Sequence, residues 1–137
     1  MDSNNTPDAR IIVICLFILS QPGWKKAFGG ECSKQKLVNT VLHYHKTRRL
    51  LIFSNVDGNI TGVIFFTPNV SEGLVSVEHI VGVNGTGFMK AAFYYWAQHY
   101  PTCAIYAKRH GKTKCYNPAR HLVKRGILTM DEYLSKF

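Results

Sequence analysis

Acidic residues are scarce in this chain: eight Asp and Glu stand against seventeen Lys and Arg over 137 residues, a formal charge of +9. The imbalance favours an acidic partner, whether nucleic acid, an anionic membrane, a phosphorylated cofactor or an acidic carrier protein. Cys-x-x-Cys pairs are missing. Cys15, Cys32, Cys103 and Cys115 stand apart, and Cys115 with His121 has no second pair at zinc-finger spacing. A structural metal site is therefore not expected, and a reduced, cytoplasmic setting is the simplest account of the thiols. Long apolar runs are missing too. The strongest, Ile11–Leu19, is nine residues, against about 20 for a helix that crosses a bilayer. Asp2 and Asp8 precede it where a secretory leader carries cations, and no small-x-small cleavage site follows, so it is read as a buried helix or strand. No repeat, low-complexity tract or linker divides the chain, and a single domain over 1–137 is expected.

What is present is a folding composition: 46% hydrophobic and 18% charged, with length enough for a core. Residues 1–9 are polar and expected to be loose. The run from Ile11 should stop at Gln21-Pro22-Gly23, and Ser33 should cap a helix with its apolar stripe at Leu37/Val38, Val41/Leu42 and His45. Leu50–Ser54 and Ile60–Thr67 read as strands joined by an Asn55–Asn59 turn, with Pro68 ending the second. Ser71–Gly73 reads as a loop and Leu74–Val81 as a third strand, with Val75, Val77 and His79 opposite Ser76, Glu78 and Ile80. Phe88–Tyr100 should be a helix with Met89, Ala92, Tyr95/Trp96 and His99 on one side. Cys103–Ala107 should be a strand followed by a basic loop. Pro118–Arg125 should form the last main helix, with a helical tail over 127–137. Strands joined by a hairpin and followed by strand–helix–strand predict an α/β mixed sheet with helices on its faces.

Between the third strand and its helix lies Gly82-Val83-Asn84-Gly85-Thr86-Gly87. Glycines there expose backbone amides beside a helix N-terminus, which suits a phosphate; an ordinary tight turn needs the same residues. The order is not the dinucleotide G-x-G-x-x-G, and no Walker lysine–serine pair follows. Seven cations and no carboxylate lie between Cys103 and Gly126. Lys108, Arg109, Lys112 and Lys114 are the candidates for an anion or partner site, or for a solvated surface. Glu78 in an otherwise apolar strand is either a hydrogen-bonded structural carboxylate or a base.

From the hairpin to Ile127 the chain resembles the GNAT acyltransferase superfamily. That family's acyl-CoA loop follows its central strand as Arg/Gln-x-x-Gly-x-Gly/Ala; here the two later glycines are Gly85 and Gly87, and glycine holds the leading position. Asp57-Gly58-Asn59-Ile60-Thr61-Gly62 resembles the family's hairpin, and Asn117-Pro118-Ala119 with Lys124-Arg125-Gly126-Ile127 resembles its last helix. Val77-Glu78-His79-Ile80-Val81-Gly82 is also similar to the strand end of toxin-activating lysine acyltransferases, a GNAT-like branch. Their N-terminal serine–histidine spacing is not repeated at Ser20-Gln21-Pro22-Gly23. The resemblance implies a GNAT-like single domain moving an acyl group from acyl-CoA or acyl carrier protein to a protein or small amine. It implies Glu78 or His79 as base and Tyr116 as the acid for the leaving thiolate. Ile80, Gly82, Gly85, Thr86, Gly87 and Asn117 would hold the donor.

Two other readings stay open. One is a non-catalytic basic module that grips nucleic acid or an acidic protein. The other is an assembly protein using its aromatic helix and C-terminal tail.

Overall fold

In the computed structural model, which describes residues 9–109, 112–118, 120 and 123, the helices follow from where the chain is broken. The first apolar run is a helix, α1 (Ala9–Ser20), and Pro22-Gly23 separates it from a single turn, α2 (Trp24–Ala27). The short α2 is not foreseen in the sequence, where glycine on both sides hides four helical residues. Ser33 opens α3 (Lys34–Lys46): its hydroxyl accepts the Lys36 amide at 3.1 Å, filling one donor that a helix start leaves unpaired. At the other end Arg48, at φ 58°, takes the left-handed position usually given to glycine. The Arg48 and Arg49 amides then reach back to the His45 and Tyr44 carbonyls at 3.2 and 2.8 Å.

The strands are β1 (Leu50–Ser54), β2 (Ile60–Asn69), β3 (Leu74–Gly82), β4 (Ala104–Arg109) and β5 (Lys112–Tyr116), with α4 (Phe88–His99) between β3 and β4. They form one five-stranded sheet in chain order. β1 and β2 are antiparallel, β3 and β4 parallel, β4 and β5 antiparallel, so the sheet is mixed, as expected. The β1–β2 turn is closed by the Asn55 side chain, which accepts the Asp57 and Asn59 amides at 3.0 Å each. Gly58 there sits at φ 84°, a value an L side chain resists.

Four expectations need correction. β2 does not stop at Pro68 but runs through it. β1 pairs only with residues as far as Phe65, so the amide that proline lacks falls beyond that ladder. Residues Val70–Glu72 form a 3-10 turn rather than open loop. The basic loop after β4 is a strand, β5, joined to β4 by the two residues between paired Arg109 and Lys112. The buried side of α4 is Ala92, Phe93, Trp96 and Ala97; Met89 and Tyr95 are half-buried and His99 exposed. Pro118, Arg120 and Val123 are helical, as expected. Of the segment 1–9 expected to be loose only Ala9 is described, and it is already helical; residues 1–8, the helix end at Arg125 and the tail over 127–137 fall outside the described residues.

The fold's contacts group into two units whose boundary runs along β2 and β3 themselves: one ends at Phe65 and takes in His79–Thr86, the other takes Phe66–Glu78 and the chain from Gly87. In the first, Ile11, Ile14 and Ile18 of α1 and Leu37 and Val41 of α3 close over Val63, Phe65 and Val81. Phe65, fully buried, meets Phe28, Tyr44 and His79 edge-on at 5.3, 5.2 and 5.5 Å between ring centroids. In the second, Trp96 of α4 is fully buried against Phe66 and Phe93 at 6.2 and 5.6 Å.

The thiols divide cleanly. Cys15, Cys32 and Cys103 are buried and Cys115 is exposed; burial also pushes the Cys15 thiol up, away from the reactive thiolate. The native chain should therefore take up one maleimide per molecule quickly, and four once denatured, counted by intact mass. Two or more fast additions would contradict this burial.

Candidate functional site

The end of β3 is the place where chemistry-bearing residues meet an opening. The β3–β4 ladder runs from Leu74↔Ala104 to Val77↔Ala107 and stops there, while β3 itself continues to Gly82. Past Gly82 the Val83 amide still reaches the Thr61 carbonyl at 2.9 Å. The chain then turns, with Gly85 at φ 82°, a left-handed value that glycine takes without steric cost. A Cβ at Gly85 would meet nothing within 4 Å, so glycine is needed there for its backbone angle and not to let a neighbour approach. Thr86 turns its hydroxyl inward, donating to the Val83 carbonyl at 2.7 Å.

Against this end of β3 stands the break between α1 and α2. Gln21, Pro22, Gly23, Trp24 and Ala27 on one side and residues 80–84 on the other enclose a cleft of about 410 Å³. No charged side chain lines it; the side-chain hydrogen-bonding groups are the Gln21 and Asn84 carboxamides and the Trp24 indole, and the rest is backbone and apolar surface. Such a lining suits a neutral, amide-bearing or apolar group rather than a bare phosphate.

Glu78 and His79, adjacent in sequence, are engaged by different neighbours. Glu78 is exposed, and its carboxylate accepts the Thr67 hydroxyl. His79 is half-buried: its ring stacks on Phe28 at 4.4 Å, and Nδ1 lies 2.6 Å from the Ala27 carbonyl. A carbonyl can only accept, so Nδ1 carries the proton and Nε2 is left as the basic nitrogen. Nε2 meets no partner among the described residues and reaches solvent. Through Ala27, which lines the cleft, His79 is tied directly to the cleft wall.

Of the expected donor-binding residues, Ile80 and Gly82 line the cleft, whereas Gly85, Thr86, Gly87 and Asn117 do not. Gly87 is the N-cap position of α4, at φ 76° with no side-chain cap. The Asn117 side chain accepts the Arg120 amide at 2.9 Å, a helix-capping contact. Tyr116 is half-buried, its ring edge-on to Phe93 at 5.6 Å, which is packing. The expected anion-binding cations lie on the β4–β5 hairpin, where Arg109 pairs with Lys112, Lys108 with Thr113 and Ala107 with Lys114. Lys114 is exposed. Across the same ladder Tyr106 faces Cys115, and its hydrogen bond to that thiol raises the phenol above its ordinary range. No group of three or more metal-ligating side chains occurs among the described residues.

The α1–α2 wall of the cleft, together with Val83 and Asn84, was not foreseen as part of a site. Its signal in the sequence is the abrupt Pro22-Gly23 break after an apolar helix, next to a tryptophan. No protein-family model, curated protein or solved structure matches this chain.

Proposed function

We propose that the chain is a GNAT-like acyltransferase that moves an acyl group from coenzyme A, or from acyl carrier protein, to an amine. The observation that carries this reading is the cleft at the carboxyl end of β3, lined by Ile80 and Gly82 and free of charged side chains. Ligands of α/β sheets settle beyond the carboxyl ends of strands, and a strand that outruns its neighbour's ladder offers backbone groups to an extended, amide-bearing arm. The resemblance at Gly85 and Gly87 supplies the donor class, and the neutral lining supports a pantetheine-like arm rather than its phosphates.

The chemistry asked of the protein is modest. The acceptor amine forms a C–N bond to the thioester carbon, the C–S bond breaks, the amine gives up a proton and the leaving thiolate takes one. A base with a fixed tautomer serves the first transfer, and His79 Nε2 meets that description better than Glu78, whose carboxylate is already engaged by Thr67.

Calorimetry with coenzyme A and acetyl-CoA tests the donor site. Binding is expected, and Ile80→Glu, which sets a carboxylate at a position 37% exposed on the cleft wall, should weaken it about tenfold or more. No heat with either compound, or an unchanged affinity in Ile80→Glu, overturns the assignment.

A second reading has its own support. The β4–β5 register places two basic residues, Arg109 and Lys112, at opposed positions of one hairpin, as a module for an acidic partner would. A chain that ignores coenzyme A but binds nucleic acid with a steep salt dependence would be the basic module instead.

A further inference from the structure

From Ile11 to Leu19 helix α1 is apolar all round, and only one of its sides is used. Ile11, Ile14, Cys15 and Ile18 are buried in the core, while Ile12, Val13 and Leu16 are 48, 52 and 61% exposed. These three recur at one and four positions along the helix, and Ala9 and Ser20, also exposed, extend the same stripe by a turn at each end. Three large aliphatic side chains exposed side by side over little more than one turn form a contiguous patch, not the singly scattered apolar exposure of ordinary surfaces.

The charge around it selects what could cover it. From Ala9 to Gly30 there is no carboxylate, while Arg10, Lys25 and Lys26 are exposed cations. Trp24 precedes the two lysines at partial exposure, with Lys25 Nζ 5.9 Å from its ring. A second copy of the same face would set Lys25 and Lys26 against their own images, with Glu31 the first acid the chain offers after them, because a two-fold interface repeats each patch against itself. Nucleic acid would answer the cations and leave the aliphatic stripe in water. An anionic bilayer answers both: its acyl boundary takes the stripe and its headgroups take the lysines, with tryptophan favoured at that depth. At 12 residues α1 is too short to cross, and no helix among the described residues is long and apolar enough to do so.

We propose that α1 lies in the plane of an anionic membrane surface, with Ile12, Val13 and Leu16 in the interface and Lys25 and Lys26 at the headgroups. The segment between them, Gln21, Pro22 and Gly23, is also one wall of the cleft, so the docked helix would hold the mouth of that cleft beside the bilayer. The proposal does not depend on acyl transfer.

Co-sedimentation of the full chain with phosphatidylcholine vesicles, with and without a quarter phosphatidylglycerol, tests it. Binding is expected to the anionic vesicles, with each of Lys25→Glu and Lys26→Glu weakening it roughly fivefold or more. Leu16→Glu should weaken it at least about tenfold. Asn39→Glu, which makes the same charge change on an exposed position of α3, should stay within about threefold. Circular dichroism confirms that each variant is folded. The proposal fails if the wild type ignores anionic vesicles, or if Leu16→Glu partitions as the wild type does, which would leave charge alone as the cause. It also fails if light scattering finds a dimer that Leu16→Glu dissociates, which would give the stripe to a second copy.

Discussion

Replacing Phe65 with alanine is expected to destabilise the fold by about 3–5 kcal/mol, the range for deleting a buried aromatic side chain. In a chain of this size that corresponds to a fall of roughly 10–20 °C in melting temperature, measured by calorimetry or thermal circular dichroism. The size of the effect follows from who surrounds the ring. Phe65 is fully buried in β2 and touches Phe28 just past α2, Tyr44 of α3 and His79 of β3. It is thus the common neighbour of three segments far apart in sequence, and the rings around it are poorly placed to fill the gap. His79 is held by the Ala27 carbonyl and stacked on Phe28, while Tyr44 sits on α3 under the Arg49 guanidinium at 4.5 Å. A cavity that cannot collapse is the costly kind. Val56→Ala, at a fully exposed turn position, should change stability by less than about 0.5 kcal/mol. A fall of under about 4 °C for Phe65→Ala would contradict a ring buried among these partners.

The same ring shows where the sequence could be read and where it could not. Elements whose ends carry their own chemistry were legible. Ser33 announces α3 through its cap, Asp57-Gly58 announces the β1–β2 turn, and both do in space what their residue types require. Elements decided by distant partners were not. On α4 an apolar residue stands on nearly every side, so several stripes fit the helical period equally well. The buried one, Ala92, Phe93, Trp96 and Ala97, is selected by Phe66 and Tyr116, which lie outside the helix. β5 reads Lys-Thr-Lys-Cys-Tyr, with no apolar run, and is a strand because β4 offers it an edge. The candidate site has the same limit. The glycine turn and the Glu78-His79 pair stand out by residue type, but the cleft needs Gln21 to Trp24, about sixty residues earlier, where nothing in the side chains advertises chemistry.

What the structure adds at Glu78-His79 is a way to separate two neighbours that the sequence leaves as alternatives. If His79 is the base in acyl transfer, His79→Asn should lower kcat about 10²- to 10⁴-fold, the usual worth of a positioned proton acceptor. Affinity for coenzyme A should hardly change. Asparagine is the informative choice because its amide nitrogen can stand where Nδ1 stands and still donate to the Ala27 carbonyl. The tie to α2 then survives while the basic Nε2 is lost, and a loss of rate cannot be put down to a loosened cleft wall. His79→Ala removes both, and should lower stability as well as rate by leaving the Ala27 carbonyl without its donor. Glu78→Gln keeps an oxygen for the Thr67 hydroxyl and should leave kcat within about threefold if its role is structural. The measurement is thiol release from acetyl-CoA with a lysine-containing peptide or a polyamine as acceptor, alongside calorimetric binding of coenzyme A. Wild-type rates in His79→Asn with a collapse in Glu78→Gln would move the base to the carboxylate. Wild-type rates in both would remove the pair from the chemistry and leave the cleft as a binding site alone.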